Sequence, residues 1–118
     1  MNNPLFQTLK MGSLSLPNRI LMAPLTRCRA GLDHTPNEMM ATYYAQRATA
    51  GLLIAEATMI QEHNSAFIAE PGIYNASQIA GWRKVTSRVH QEGGRIFLQL
   101  WHGGRACHPD MNSDYERG

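Results

Sequence analysis

The sequence predicts an α/β fold in which three parallel strands alternate with two helices. Three observations carry this reading. Apolar runs centred on Met22, Ile54 and Leu98 recur roughly 30–45 residues apart, the spacing of successive strand-helix units. Between them lie two stretches with apolar residues at helical spacing. The middle run, Leu52-Leu53-Ile54-Ala55, is apolar on both faces, as a parallel strand covered on both sides must be. The resulting order, β-α-β-α-β, implies parallel strands joined by crossovers.

Residues 1–19 form an N-terminal arm, in which Leu14-Ser15-Leu16 makes a small hairpin or an extended segment and Pro17-Asn18 a turn. Ile20 to Ala23 is the first strand, halted by Pro24. Thr35-Pro36-Asn37-Glu38 predicts the start of the first helix. Thr35 sits at the N-cap, Pro36 at the first helical position, and Glu38 closes a capping box. Met40, Tyr43, Tyr44 and Ala48 give this helix one apolar face, and Gly51 stops it. Leu52 to Ala55 is the second strand, followed by a long loop from Gln61 to Asn75. Ser77 caps the second helix, which turns Ile79, Trp82, Val85 and Val89 inward and ends at Gly93-Gly94. Ile96 to Trp101 is the third strand, His102 to Arg105 a turn, and residues 102–118 a loop tail.

Composition narrows the function classes. The 118 residues are 43% apolar and 17% charged, with 11 Lys and Arg against 9 Asp and Glu, a net charge of +2. So small an excess, scattered along the chain, excludes the concentrated basic patch of a nucleic-acid or membrane-surface protein. Two cysteines, Cys28 and Cys107, make no disulfide framework and point to the reducing cytoplasm. No stretch approaches the roughly 20 apolar residues of a bilayer span. Residues 1–10 lack the basic start and apolar run of a signal peptide.

The spacing of the strands fits a (β/α)8 TIM barrel, of which eight units need roughly 300 residues. Residues 1–118 are then the N-terminal part of a single barrel domain: the first three β-strands and two helices, with β-α-β-α-β over residues 20–101, incomplete in this chain. A three-strand arc leaves two open sheet edges and an uncovered inner face. The isolated chain is therefore expected to be unstable, and a complementary C-terminal barrel chain to close it. A small open α/β sandwich, complete as it stands, is the alternative.

In such folds ligands bind beyond the C-terminal ends of the strands. Ala23-Pro24-Leu25-Thr26, Glu56-Ala57-Thr58 and Gln99-Leu100-Trp101-His102 occupy those places. They hold no paired carboxylates, no metal-ligand cluster and no nucleophile beside a base. They hold instead a hydroxyl, a small residue, a carboxamide and an indole. That set suits a flat, uncharged heteroaromatic ring that performs the difficult chemistry itself.

Five motifs in register then identify a relative. Pro24-Leu25-Thr26-Arg27-Cys28-Arg29, Tyr44-Ala45-Gln46-Arg47, Glu56-Ala57-Thr58, Pro71-Gly72 and Gln99-Leu100-Trp101-His102 resemble the N-terminal portion of the Old Yellow Enzyme family of ene-reductases. The likeness runs along almost the whole chain and is closest to reductases of enones, maleimides and nitro compounds. It implies an FMN-containing eight-stranded barrel and NADPH or NADH as hydride donor. It implies that Ala23, Pro24, Leu25 and Thr26 lie along the flavin, with the Thr26 hydroxyl on the flavin O4. Ala57 would let the pyrimidine end approach the backbone, and the Gln99 amide would pair with O2 and N3–H. Trp101 and Phe67 would wall the substrate, a small-molecule activated alkene. The family's proton-donating Tyr and carbonyl-binding His pair or His-Asn pair lie later in its chain, so no catalytic residue is assigned here.

Plainer roles stand beside these. Thr26 can satisfy a local turn, and Gln99, within an apolar strand, can have a structural partner. Glu56 is expected to pair with Arg27 or Arg29 rather than to act as an acid or base. His102 is expected to be structural or to support a neighbouring site residue, and His102, Cys107 and His108 fit no common zinc spacing, so no metal is assigned. Two other functions remain: another flavin-dependent TIM-barrel oxidoreductase, and a non-enzymatic α/β binding module.

Overall fold

Hydrophobic alternation and two asparagine caps organise the chain. The computed structural model describes residues 2–112. After a 3-10 turn at Pro4–Phe6, β1 (Leu9–Met11) and β2 (Leu14–Leu16) form an antiparallel hairpin with Leu9 opposite Leu16. Gly12, at φ 58°, supplies the left-handed turn between them. The arm is thus a hairpin, and Pro17-Asn18 bends the chain after it.

β3 (Leu21–Met22) pairs in parallel with β4 (Leu52–Met59), which pairs in parallel with β5 (Ile96–Trp101). The sheet order is β3-β4-β5, as the β-α-β-α-β pattern requires. The third strand matches its expected bounds. The second runs four residues beyond Ala55, because Glu56 finds partners inside the fold and the ladder continues past it.

Both helix starts differ from expectation in the same way. α1 (Glu38–Ala45) is capped by Asn37, whose Oδ1 accepts the Met40 N–H at 3.1 Å. Thr35 is occupied in the preceding turn, where its N–H donates to Asp33 Oδ1 and its carbonyl accepts the Gly31 N–H. Glu38 is the first helical residue, so no capping box forms; it meets Arg88 at 3.5 Å on the surface. α2 (Ala76–Gln91) is capped by Asn75, which accepts the Gln78 N–H, and Ser77 lies inside the first turn. Gly93, at φ 77°, ends α2 as expected. Gly51 does not stop α1, which ends six residues earlier. It allows the backbones to touch, since a Cβ there would lie 2.2 Å from the Asn18 carbonyl oxygen.

The two helices cover one face of the sheet. Leu53 and Ala55 of β4 pack beneath Met40, Ala41, Tyr44, Ala48, Trp82, Val85 and Val89. Each large apolar side chain buried there contributes about 1.5–3 kcal/mol. Ile79 is not part of this core and is 41% exposed. The opposite face is open along β5, where Phe97 is 48% exposed, while Ala57 and Met59 of β4 are buried. Beyond β5 the expected loop contains single 3-10 turns at Gly104–Ala106 and Pro109–Met111. The part of the loop tail at 113–118 lies outside the described residues. Among the described residues no helix is long and apolar enough to cross a membrane.

Candidate functional site

A single extra residue in β4 decides which side chains share the uncovered face. Leu53 pairs with Ile96 and Ala55 with Leu98, and all four lie on the helix side. The register then shifts between Ala55 and Ala57. Without the shift, Ala57 would follow Leu53 and Ala55 towards the helices. With Glu56 as the bulged residue, Ala57 instead pairs with Gln99, and Met59 with Trp101, on the face opposite the helices.

Glu56 is fully buried and held by three hydrogen bonds to two residues, Tyr44 of α1 and Arg27 of the segment after β3. The Tyr44 O–H donates to its Oε2 at 2.6 Å, and its own N–H donates back to the Tyr44 oxygen at 3.0 Å. Its Oε1 accepts the Arg27 N–H at 3.4 Å, which fixes the segment carrying Thr26 beside the bulge. Burial raises the Glu56 carboxyl above its ordinary range, and the hydrogen bonds from Tyr44 and Arg27 oppose that rise. Burial and the neighbouring Glu56 charge push the Tyr44 phenol up as well. The expected pairing with an Arg side chain is absent among the described residues. Arg27 places its guanidinium 5.5 Å from the Tyr43 ring centre, and Arg29 donates to the Arg27 and Cys28 carbonyls.

The remaining candidates fall around this bulge. Thr26 is half-buried and Gln99 exposed, and neither side chain has a hydrogen-bond partner among the described residues. Neither the local turn for Thr26 nor the structural partner for Gln99 is therefore observed. Ala23 is exposed and Pro24 half-buried. Leu25, 52% exposed, lines a shallow groove with Met22, Tyr43 and Arg47 along the open edge of β3. Phe67 stacks on Trp101 with ring centres 5.7 Å apart and planes at 24°, and the buried Trp101 Nε1 has no partner.

Two supports of this aromatic pair were not foreseen. Asn64 ties the loop that carries Phe67 to the turn after Trp101. Its Oδ1 accepts the Gly103 N–H at 2.6 Å, and its Nδ2 reaches the His102 ring at 3.0 Å and Cys107 Sγ at 3.1 Å. The His102 ring also accepts the Gly104 N–H at 3.0 Å. Glu70, fully buried, accepts the Ala66 N–H while its Oε2 has no partner. Its carboxyl is pushed up to about 7, chiefly by burial. Only a carboxylate within an apolar context signalled Glu56 and Glu70 in the sequence; nothing there named Tyr44 as the partner of Glu56 or Asn64 as the partner of His102. Among the described residues no group of three or more His, Cys, Asp or Glu is placed to hold a metal ion.

This arrangement suits a planar, neutral heteroaromatic ring. Ala57 offers a small surface, Gln99 an unpaired donor and acceptor, and Thr26 an unpaired hydroxyl, beside a stacked aromatic wall. The architecture is a three-strand arc of parallel sheet with both helices on one face, and comparison with known proteins gives the family. The profile of the NADH:flavin oxidoreductase / NADH oxidase family matches residues 4–117, and the chain belongs to that family, the Old Yellow Enzyme group. Chanoclavine-I aldehyde reductase of Penicillium roqueforti is 48% identical over 109 residues, covering 91% of this chain and 30% of that protein. The old yellow enzyme from Trypanosoma cruzi is 54% identical with a TM-score of 0.87, over 92% of this chain and 29% of the other. Morphinone reductase, in complex with tetrahydroNAD, is 50% identical with a TM-score of 0.88, over 98% of this chain and 31% of the other. The chain thus spans about 30% of the length of the relatives it matches. It has the fold of the first three strands and two helices of their (β/α)8 barrel, and FMN and NAD(P)H are the cofactors of the family.

Proposed function

We propose that this chain forms one side of the FMN site of an NAD(P)H-dependent ene-reductase acting on enones, maleimides or related electrophilic alkenes. The observation that carries the reading is the register pair Ala57–Gln99 on the uncovered face, with the Gln99 amide free to meet a ring edge. Gln99 pairs one donor and one acceptor with the pyrimidine edge of the flavin. Ala57 keeps that edge close to β4, and Ala23, Pro24 and Leu25 lead the chain along the ring to Thr26. The Thr26 hydroxyl donates to the flavin O4 and favours the electron-rich, reduced ring. Trp101 and Phe67 form part of the substrate wall. When bound, the flavin supplies hydride taken from NAD(P)H to the alkene. Morphinone reductase in complex with tetrahydroNAD supports a nicotinamide as the donor.

The proton donor and the carbonyl-binding pair belong to the strands that close the barrel, on the same or a complementary polypeptide. Placement in the cytoplasm accords with the free thiols of Cys28 and Cys107. The test joins this chain to the remaining strands and adds FMN. The expected result is a yellow protein that oxidises NADPH when an enone is present and yields the saturated ketone. A protein that takes up no flavin overturns the reading. Flavin uptake with an enone left unreduced would favour another flavin oxidoreductase on the same barrel.

A further inference from the structure

We propose that Tyr44 and Glu56 are positioning residues of the flavin site: their reciprocal hydrogen bonds hold the β4 bulge that turns Ala57 onto the face of Gln99. The inference rests on the flavin reading above and adds to it two residues that touch no ligand.

A bulge leaves the extra residue without a ladder partner. Here that residue is Glu56, and its N–H must be satisfied elsewhere or remain buried and unpaired. Tyr44, on α1, takes it at 3.0 Å and returns its own proton to Glu56 Oε2 at 2.6 Å. The phenol oxygen is therefore both acceptor and donor to one residue. The second carboxylate oxygen accepts the Arg27 N–H at 3.4 Å, one residue beyond Thr26. One buried pair thereby links α1, the bulge and the Thr26 segment. It governs the two features on which the flavin contact depends: the register that places Ala57 beside Gln99, and the approach of Thr26 to β4. The alternative register, continued from Ala55 and Leu98 without the bulge, would pair Glu56 with Gln99, bringing the carboxylate to the flavin face and turning Ala57 to the helices.

Tyr44 is also a core ring, 1% exposed and 6.4 Å from Trp82 between ring centres. The test must therefore separate positioning from packing. Tyr44→Phe keeps the ring and removes only the hydroxyl. In the barrel completed with its remaining strands, FMN affinity is measured by flavin fluorescence for wild type, Tyr44→Phe, Gln99→Leu and the double variant. Val85→Ala, in the same buried core but on α2 and without a side-chain hydrogen bond, serves as the packing control. We expect Tyr44→Phe to weaken FMN binding about tenfold. In the Gln99→Leu background its effect should shrink to about threefold or less, since the amide that the register presents is already gone. Val85→Ala should lower the unfolding midpoint and leave FMN affinity unchanged. Glu56→Gln, which retains one acceptor, should fall between wild type and Tyr44→Phe. Full additivity of Tyr44→Phe with Gln99→Leu, or an unchanged FMN affinity in Tyr44→Phe, overturns the inference while leaving the flavin reading intact. A wild-type protein that binds no FMN overturns both.

Discussion

Glu70 is the residue whose chemistry is least balanced by its surroundings. Its side chain is fully buried, one oxygen accepts the Ala66 N–H, and the other has no partner. Burial, with a smaller contribution from the charge of Glu56, raises its carboxyl from 4.5 to about 7. The protonated form is thus favoured in the folded state. Its contribution to stability is complete below about pH 4.5, declines as pH rises, and is lost once pH passes about 7. Within that window each pH unit removes about 1.4 kcal/mol. Burial raises Glu56 in the same direction, against the hydrogen bonds from Tyr44 and Arg27. Glu70→Gln should flatten the dependence, read from denaturant midpoints of the completed protein between pH 5 and pH 8. Identical pH profiles for the wild type and the variant would show that Glu70 does not titrate there. At this scale the sequence singled out Thr26, Ala57 and Gln99 as candidates, because their residue types match what a ring edge demands. It did not expose the Tyr44–Glu56 pair. A buried carboxylate advertises a need for donors, but an Arg and a phenol satisfy that need equally well on paper, and only the packing of α1 on β4 selects the phenol.

At the scale of elements, strands and helices were legible from apolar spacing, while their ends were decided by tertiary contacts. Asn37 outcompetes Thr35 as the α1 cap because its side chain works twice: Oδ1 accepts from Met40 and Nδ2 donates to the Arg29 carbonyl at 2.7 Å. The second bond spans eight residues and leaves no local signature. The bulge is similarly silent, since an extra residue in an apolar strand changes no periodicity long enough to measure. Helix–helix packing has its own determinant in Gly81. A Cβ there would stand 2.7 Å from the Pro36 carbonyl oxygen, where α2 meets the chain entering α1. Backbone cannot yield as a flexible side chain can, so Gly81→Ala should destabilise by about 1–3 kcal/mol. A urea midpoint unchanged by Gly81→Ala would mean that the helices separate without penalty.

For the whole molecule, the governing fact is that the sheet does not close among the described residues. Two of the three strands, β3 and β5, each offer a free edge, and the face away from the helices lacks a partner layer. Phe97, Leu100 and Leu25 are 48%, 60% and 52% exposed. The radius of gyration is 15.8 Å, against about 13 Å for a globular domain of this length. Apolar area left in water contributes nothing to stability, and free parallel edges recruit further strands. The α/β order showed the barrel in the sequence because each strand-helix unit repeats. Residues 1–118 alone are therefore expected to associate and to bind a dye that reports exposed apolar surface, and to unfold without a sharp transition. Supplying the remaining strands should abolish dye binding, restore a cooperative transition and create flavin affinity together, since closing the edges and completing the ring site are one event. A monomer that sediments as a single species and unfolds cooperatively without them would show that the arc is stable by itself, and barrel closure would then serve the chemistry alone.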